Sequence, residues 1–243
     1  MTYGAAYHRW NLVHAGVVTA ATVVVAAGAV AAAPFLAAWS ALALLTLSVV
    51  SHRALDGQIG APLPNVLTAT RGAAAVAVFA GLPVIAARGE VSGRMLWLMA
   101  AAFAAVEITD FFDGRLARRA AASGGSSVFG ATWDMENDAL FTLSLSLFHH
   151  HIHRVGAFVV AIGLMRYVYV LVWHVDGDPP TVTPAYKLFA RTTAATIVVT
   201  MIAVVTPVFD SRFRVMALAV VLSMQVVSFA WDLLLQHRAR VAA

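Results

Sequence analysis

The chain has 243 residues, 61% of them hydrophobic and only 12% charged, with a mean hydropathy of +0.82 and a formal net charge of +4. A soluble domain carries about 45–50% apolar residues, so this composition identifies an all-α integral membrane protein: its apolar stretches suit helices across a hydrocarbon core of about 30 Å, and the alternating segments of a β-barrel do not occur. There is no cysteine, which excludes disulfides, thiolate metal sites and cysteine nucleophiles. The positive balance is almost entirely arginine, as in loops that face an anionic inner leaflet, and is poor evidence for a nucleic-acid partner.

In chain order, the opening "MTYGAAYHRWNLVHAG" runs into an apolar stretch too long for a signal peptide. Runs between breakers then predict spans at 11–33, 35–51, 65–87, 95–115, 129–149, 155–174, 184–206 and 214–235. Pro34 divides the first two. "SHRALDGQIGAPLP" reads as a loop, which sets a two-helix N-terminal extension over 1–63 apart from a six-helix unit over 64–243. "AASGGSS" at 121–127 is a short flexible connection, and no internal repeat is visible. With the N-terminus inside, Arg9, Arg53, Arg115, Arg118, Arg119, Arg238 and Arg240 fall on the inner side against Arg88, Arg94, Arg154, Arg212 and Arg214 outside. The orientation puts residues 110–138 at the cytoplasmic face of a multi-pass cell-membrane protein.

That region holds costly charge. Asp110 and Asp113 are three apart at the end of the fourth span, and Asp134 and Asp138 are four apart at the start of the fifth, so each pair shares one helical face. Four carboxylates converging in a poorly hydrated place repel one another unless cations hold them. An all-oxygen set favours a hard ion, Mg²⁺ or Mn²⁺. Gly114 and Ala117 clear the face of Asp110, so that a large group can approach the backbone, and Arg118 offers a fork suited to phosphate. Together these residue types point to metal-dependent phosphoryl transfer at a membrane surface.

The same residues resemble the signature of the CDP-alcohol phosphotransferases, D-x2-D-G-x2-A-R-x8-G-x3-D-x3-D. Here it reads Asp110, Asp113, Gly114, Ala117, Arg118, Gly130, Asp134 and Asp138, with eleven residues between Arg118 and Gly130 in place of eight. "PNVLTATR" at 64–71 is similar to the opening of that family's first core helix. The resemblance covers roughly 64–236. It implies a six-transmembrane-helix core in which the four aspartates hold two divalent ions and Asp138 is also the general base on the acceptor hydroxyl. It further implies that Gly114, Ala117, Arg118, Asn65 and Thr68 bind the CDP moiety, and that the protein is a homodimer. The implied reaction moves a phosphatidyl group from CDP-diacylglycerol, a CDP-linked lipid donor, to a small alcohol and releases CMP.

Arg166, Lys187 and Arg191 lie in or at the edge of apolar spans, where a cation costs about 2.5–3.5 kcal/mol on insertion scales. They suit either a pocket for a phosphorylated acceptor, such as glycerol 3-phosphate or inositol phosphate, or pairing with Asp232 or Glu107. Glu107 and Glu136 border the signature, Glu107 as an interfacial polar residue or a partner of the metal ligands. "HHHIHR" at 149–154 reads as an interfacial loop at the opposite face rather than a ligand set. A divalent-cation transporter also needs intramembrane carboxylates, and is the alternative function; it predicts repeated halves with carboxylates near the midplane.

Overall fold

The structure, a computed structural model, describes residues 5–54, 62–122, 128–172 and 183–241, with the side chains of 52–54, 62–65, 110–122, 128–129, 131 and 239–241 excepted. Every element among them is helical: α1 (Ala5–Ala26), a 3-10 turn (Val30–Ala32), α2 (Ala33–Ala54), α3 (Pro62–Ala87), α4 (Gly93–Ala122), α5 (Val128–His151), α6 (Phe158–Val172), α7 (Pro184–Ala203) and α8 (Ser211–Val241). These eight α-helices stand at the eight spans read from the sequence. Four of the described helices are long and apolar enough to cross a membrane, at Ala5–Ala26, Val30–Ser51, Val66–Ala87 and Ser211–Arg238. α6 has 15 residues, about 22 Å at 1.5 Å per residue, and α4 and α5 carry the acidic signature.

Several boundaries differ from the sequence reading. α1 stops at Ala26, well before Pro34, because Gly28 takes φ +108°, a left-handed turn that glycine adopts without cost. Pro34 sits in the first turn of α2, where its missing N–H is no loss. The stretch read as a loop is helical at both ends, since α2 runs to Ala54 and α3 starts at Pro62; residues 55–61 lie outside the described residues, as do 123–127 of the connection. The histidines His149, His150 and His151 form the last turn of α5 rather than a loop. His149 Nε2 donates to the Met201 carbonyl at 2.9 Å and His150 Nε2 to the Ala26 carbonyl at 2.9 Å. These imidazoles thus satisfy carbonyls at the ends of α7 and α1, which helix geometry leaves open.

α5 is the central element, packed against α1, α2, α3, α6 and α7. From Leu140 to Phe148 its large apolar side chains are fully buried all round, the pattern of a helix enclosed on every side. Ser144 and Ser146 return their hydroxyls to the Phe141 and Thr142 carbonyls, so neither is a polar group left over in the core. The two N-terminal helices are part of this packing, since α1 lies against α2, α5 and α6. α6 approaches α5 so closely at Gly163 that a Cβ there would overlap the Cα of Leu143. A backbone atom cannot swing away as a side chain can. Gly163→Ala is therefore expected to cost about 1–3 kcal/mol of stability by overpacking, read as a lower thermal midpoint of the purified protein in detergent; an unchanged midpoint would show the two helices free to separate.

Candidate active site

Asp134 and Asp138 project from one face of α5, one turn apart, with side chains 45% and 50% exposed. Facing them from α3 is Arg71, only 1% exposed, whose guanidinium donates one arm to Asp138 Oδ1 and the other to Asp134 Oδ1. This fork ties α3 to α5 across the pair, and charge-assisted bonds of this kind are the strong ones. Thr68, one turn before Arg71 on α3, is buried. Next to Arg71, Gly72 lets α5 come close, because a Cβ would overlap the buried Asn137 side chain. Asn137 is held in turn by donating to the Trp133 carbonyl at 2.7 Å.

Asp110, Asp113, Gly114, Ala117 and Arg118 fall in the second half of α4, which packs against α3 and α7. Their side chains lie outside the described residues, as does that of Asn65 in α3. Among the described residues no group of three or more acidic or histidine side chains is placed to hold a metal ion. The donor set still suits a hard cation: two carboxylates one turn apart converge on a single positive group, with oxygen as the only donor element.

Beside Asp138 opens a cavity of about 390 Å³ between α4, α5, α6, α7 and α8. Its lining includes Glu107, Asp138, Arg166, Arg191, Gln225 and Ser228. The structure thus brings Arg166 and Arg191 together with Asp138. Lys187 is exposed on the turn of α7 before Arg191 and does not line this cavity.

The partner of Arg166 is neither Asp232 nor Glu107. Its Nη2 donates to Glu136 Oε1 at 2.7 Å, and Glu136 is 1% exposed on the buried side of α5. The reason is periodicity: two residues past Asp134 and two short of Asp138, Glu136 faces nearly opposite them on the helix, toward α6 and α1. There His14 of α1 puts Nε2 4.0 Å from Glu136 Oε2, with its ring stacked on Trp10 at 4.9 Å and edge-on to Tyr167 at 5.7 Å. Asp232 is occupied elsewhere, accepting from Tyr169 Oη at 2.5 Å and Gln236 Nε2 at 2.7 Å.

Sequence reasoning missed Arg71 and His14 as site-supporting residues. A signal existed for Arg71, a lone cation seven residues past Pro64 inside an apolar stretch, a placement expensive enough to demand a partner. His14 gave none, being one histidine among nine.

Comparison with curated proteins and with solved structures returns no match. The model of the CDP-alcohol phosphatidyltransferase family matches residues 61–227, from the start of α3 to within α8. It spans more than half of the chain, including Glu107, Asp110, Asp113, Asp134, Glu136 and Asp138, and it decides between the transferase and transporter readings in favour of the first. The chain belongs to the CDP-alcohol phosphatidyltransferase family, membrane transferases that move a phosphatidyl group from a CDP-linked donor to an alcohol.

Proposed function

We propose that the protein transfers the phosphatidyl group of CDP-diacylglycerol to a small phosphorylated alcohol, of the class of glycerol 3-phosphate or inositol phosphate, in phospholipid biosynthesis. The observation that carries this reading is the cavity that joins Asp138 to Arg166 and Arg191: a carboxylate able to take a hydroxyl proton stands beside cations able to hold a phosphate. The six-helix catalytic unit over 64–243 carries this site, the extension over 1–63 buttresses it, and the active protein is a homodimer. The site faces the cytoplasm from the cell membrane.

In this reaction Asp138 accepts the proton of the acceptor hydroxyl. The acceptor oxygen forms a bond to the phosphatidyl phosphorus, and the bond from that phosphorus to the CMP oxygen breaks. No covalent enzyme intermediate is needed. Asp110, Asp113, Asp134 and Asp138 hold two Mg²⁺ or Mn²⁺ ions, which supply charge stabilisation at the donor's pyrophosphate. Gly114 and Ala117 leave room for the CDP moiety, with Arg118, Asn65 and Thr68 around it. Arg166 arrives already paired with Glu136, which places more of the demand for phosphate on Arg191.

The test is a panel of alcohols incubated with CDP-diacylglycerol, Mg²⁺ or Mn²⁺ and the purified protein, with CMP and the lipid product identified. Arg191→Ala is expected to raise the KM of a phosphorylated acceptor about tenfold or more with little change in donor KM, the loss of one charge-assisted contact, and Lys187→Ala to raise it less. Equal effects of Arg191→Ala on both substrates would move neutral alcohols ahead.

A further inference from the structure

Arg166 is bonded to Glu136 through Nη2 and also lines the cavity, so the angle at which its guanidinium meets an acceptor depends on where the Glu136 carboxylate stands. A carboxylate held at one oxygen still turns about that bond, because terminal torsions of this kind are broad. The group against its second oxygen comes from the N-terminal extension: His14 Nε2 lies 4.0 Å from Glu136 Oε2, an electrostatic contact rather than a hydrogen bond. We propose that His14 is a positioning residue for the acceptor pocket, fixing Glu136 and through it Arg166, so that α1 is part of the active site although it precedes the family-matched segment. The inference rests on the reading of Arg166 as a phosphate-binding residue.

The imidazole is built into its place. Tyr7, Trp10 and His14 follow one another at intervals of three and four residues, which makes them one stripe of α1, and all three are buried. Trp10 stacks on the His14 ring with centroids 4.9 Å apart, and Tyr167 of α6 meets that ring edge-on at 5.7 Å. Tyr167 follows Arg166 directly in the chain, so the ring that holds His14 and the cation that His14 serves stand on adjacent residues of α6. The other end of α1 is pinned to the same central helix, since His150 of α5 bonds the Ala26 carbonyl at 2.9 Å. Held at both levels, α1 cannot slide His14 past Glu136. Both ring nitrogens of His14 are buried, and neither has a hydrogen-bond partner among the described residues. A buried N–H without a partner is costly, and the Glu136 carboxylate is the acceptor against which this one stands. A neutral imidazole suffices, since a single N–H orients an oxygen.

The experiment compares wild type, His14→Phe and His14→Gln, purified in detergent. It reads kcat, thermal midpoint, the KM of CDP-diacylglycerol and the KM of glycerol 3-phosphate or inositol phosphate. Phenylalanine keeps a ring between Trp10 and Tyr167 and removes the N–H; glutamine keeps an N–H and removes the ring. His14→Phe is expected to raise the acceptor KM about three- to tenfold, the equivalent of one hydrogen bond, with kcat and donor KM near wild type. His14→Gln should return the acceptor KM toward wild type, and His14→Leu stands in for His14→Phe if that variant does not fold. In the Glu136→Leu, Arg166→Met background the same substitution should leave the acceptor KM unmoved, because His14 then has nothing to act through. An unchanged acceptor KM in His14→Phe overturns the proposal, and together with a lower midpoint it makes His14 structural only. An equal rise in both KM values, or an undiminished effect in the double-variant background, overturns it as well. Wild-type turnover of a phosphorylated alcohol with no such split in His14→Phe removes this inference alone, whereas wild-type turnover of neutral alcohols only removes the proposed function.

Discussion

Asp138→Asn is expected to lower kcat by about 10²–10⁴, the usual consequence of losing a general base, while most of the affinity for the CDP-linked donor remains. The separation follows from where Asp138 sits. It lines the cavity proposed for the acceptor, whereas in the proposed reaction donor affinity draws on Asp110, Asp113 and Asp134, on Arg118 and on the small residues Gly114 and Ala117. Asparagine keeps the shape of the side chain and still accepts a hydrogen bond from Arg71, so α3 and α5 stay joined through both arms of the fork. Glu136 cannot take over as base, because it is buried on the other side of α5 and already committed to Arg166. Donor binding by calorimetry with Mn²⁺, set beside single-turnover CMP release, checks the prediction. Parallel loss of binding and rate would make Asp138 chiefly a metal ligand, and the base would have to be sought among the other residues of the cavity.

Glu136→Ala is expected to destabilise the protein by about 3–5 kcal/mol, the range found when one member of a buried ion pair is removed and the other is left uncompensated. Arg166 is 20% exposed and Glu136 1%, so solvent cannot make up the loss. Glu136→Gln, which keeps an oxygen for Arg166 Nη2, should lose less. The double variant Glu136→Leu, Arg166→Met should recover much of the stability, since well-packed apolar residues often replace a buried pair at little cost. It should nevertheless bind a phosphorylated acceptor poorly, because the cavity has lost a cation. Denaturation midpoints of the three variants measure the first effect and acceptor KM the second. Wild-type stability in Glu136→Ala would mean that the pair is not closed in the membrane-embedded protein.

Much of this was legible from the residues alone. The all-helical membrane class and the approximate placement of the described helices follow from the length and apolarity of the runs, because a bilayer demands internally bonded backbone of about 20 residues. The pairing of Asp134 with Asp138 on one face follows from the 3.6-residue period, and a signature with eight fixed residue types is specific enough to carry the family. Helix ends were less legible. Whether α1 stops at Gly28 or at Pro34 depends on which breaker the packing uses, and α2 could absorb Pro34 into its first turn. The histidine run could not be assigned from composition, since a cluster of imidazoles looks the same whether it binds a metal or caps carbonyls; the carbonyls belong to Ala26 and Met201, 124 and 52 residues away. Tertiary structure alone decided the ion-pair partners. Arg71 reaches Asp134 and Asp138 across more than sixty residues of chain, and Arg166, which also lines the cavity beside Asp138, finds Glu136 rather than Asp232 or Glu107 because the packing of α6 on α5 puts its guanidinium beside that buried carboxylate. Local period determines which face a charge occupies; only the packing of helices, driven by small residues such as Gly72 and Gly163 that admit close approach, determines which opposite charge it meets.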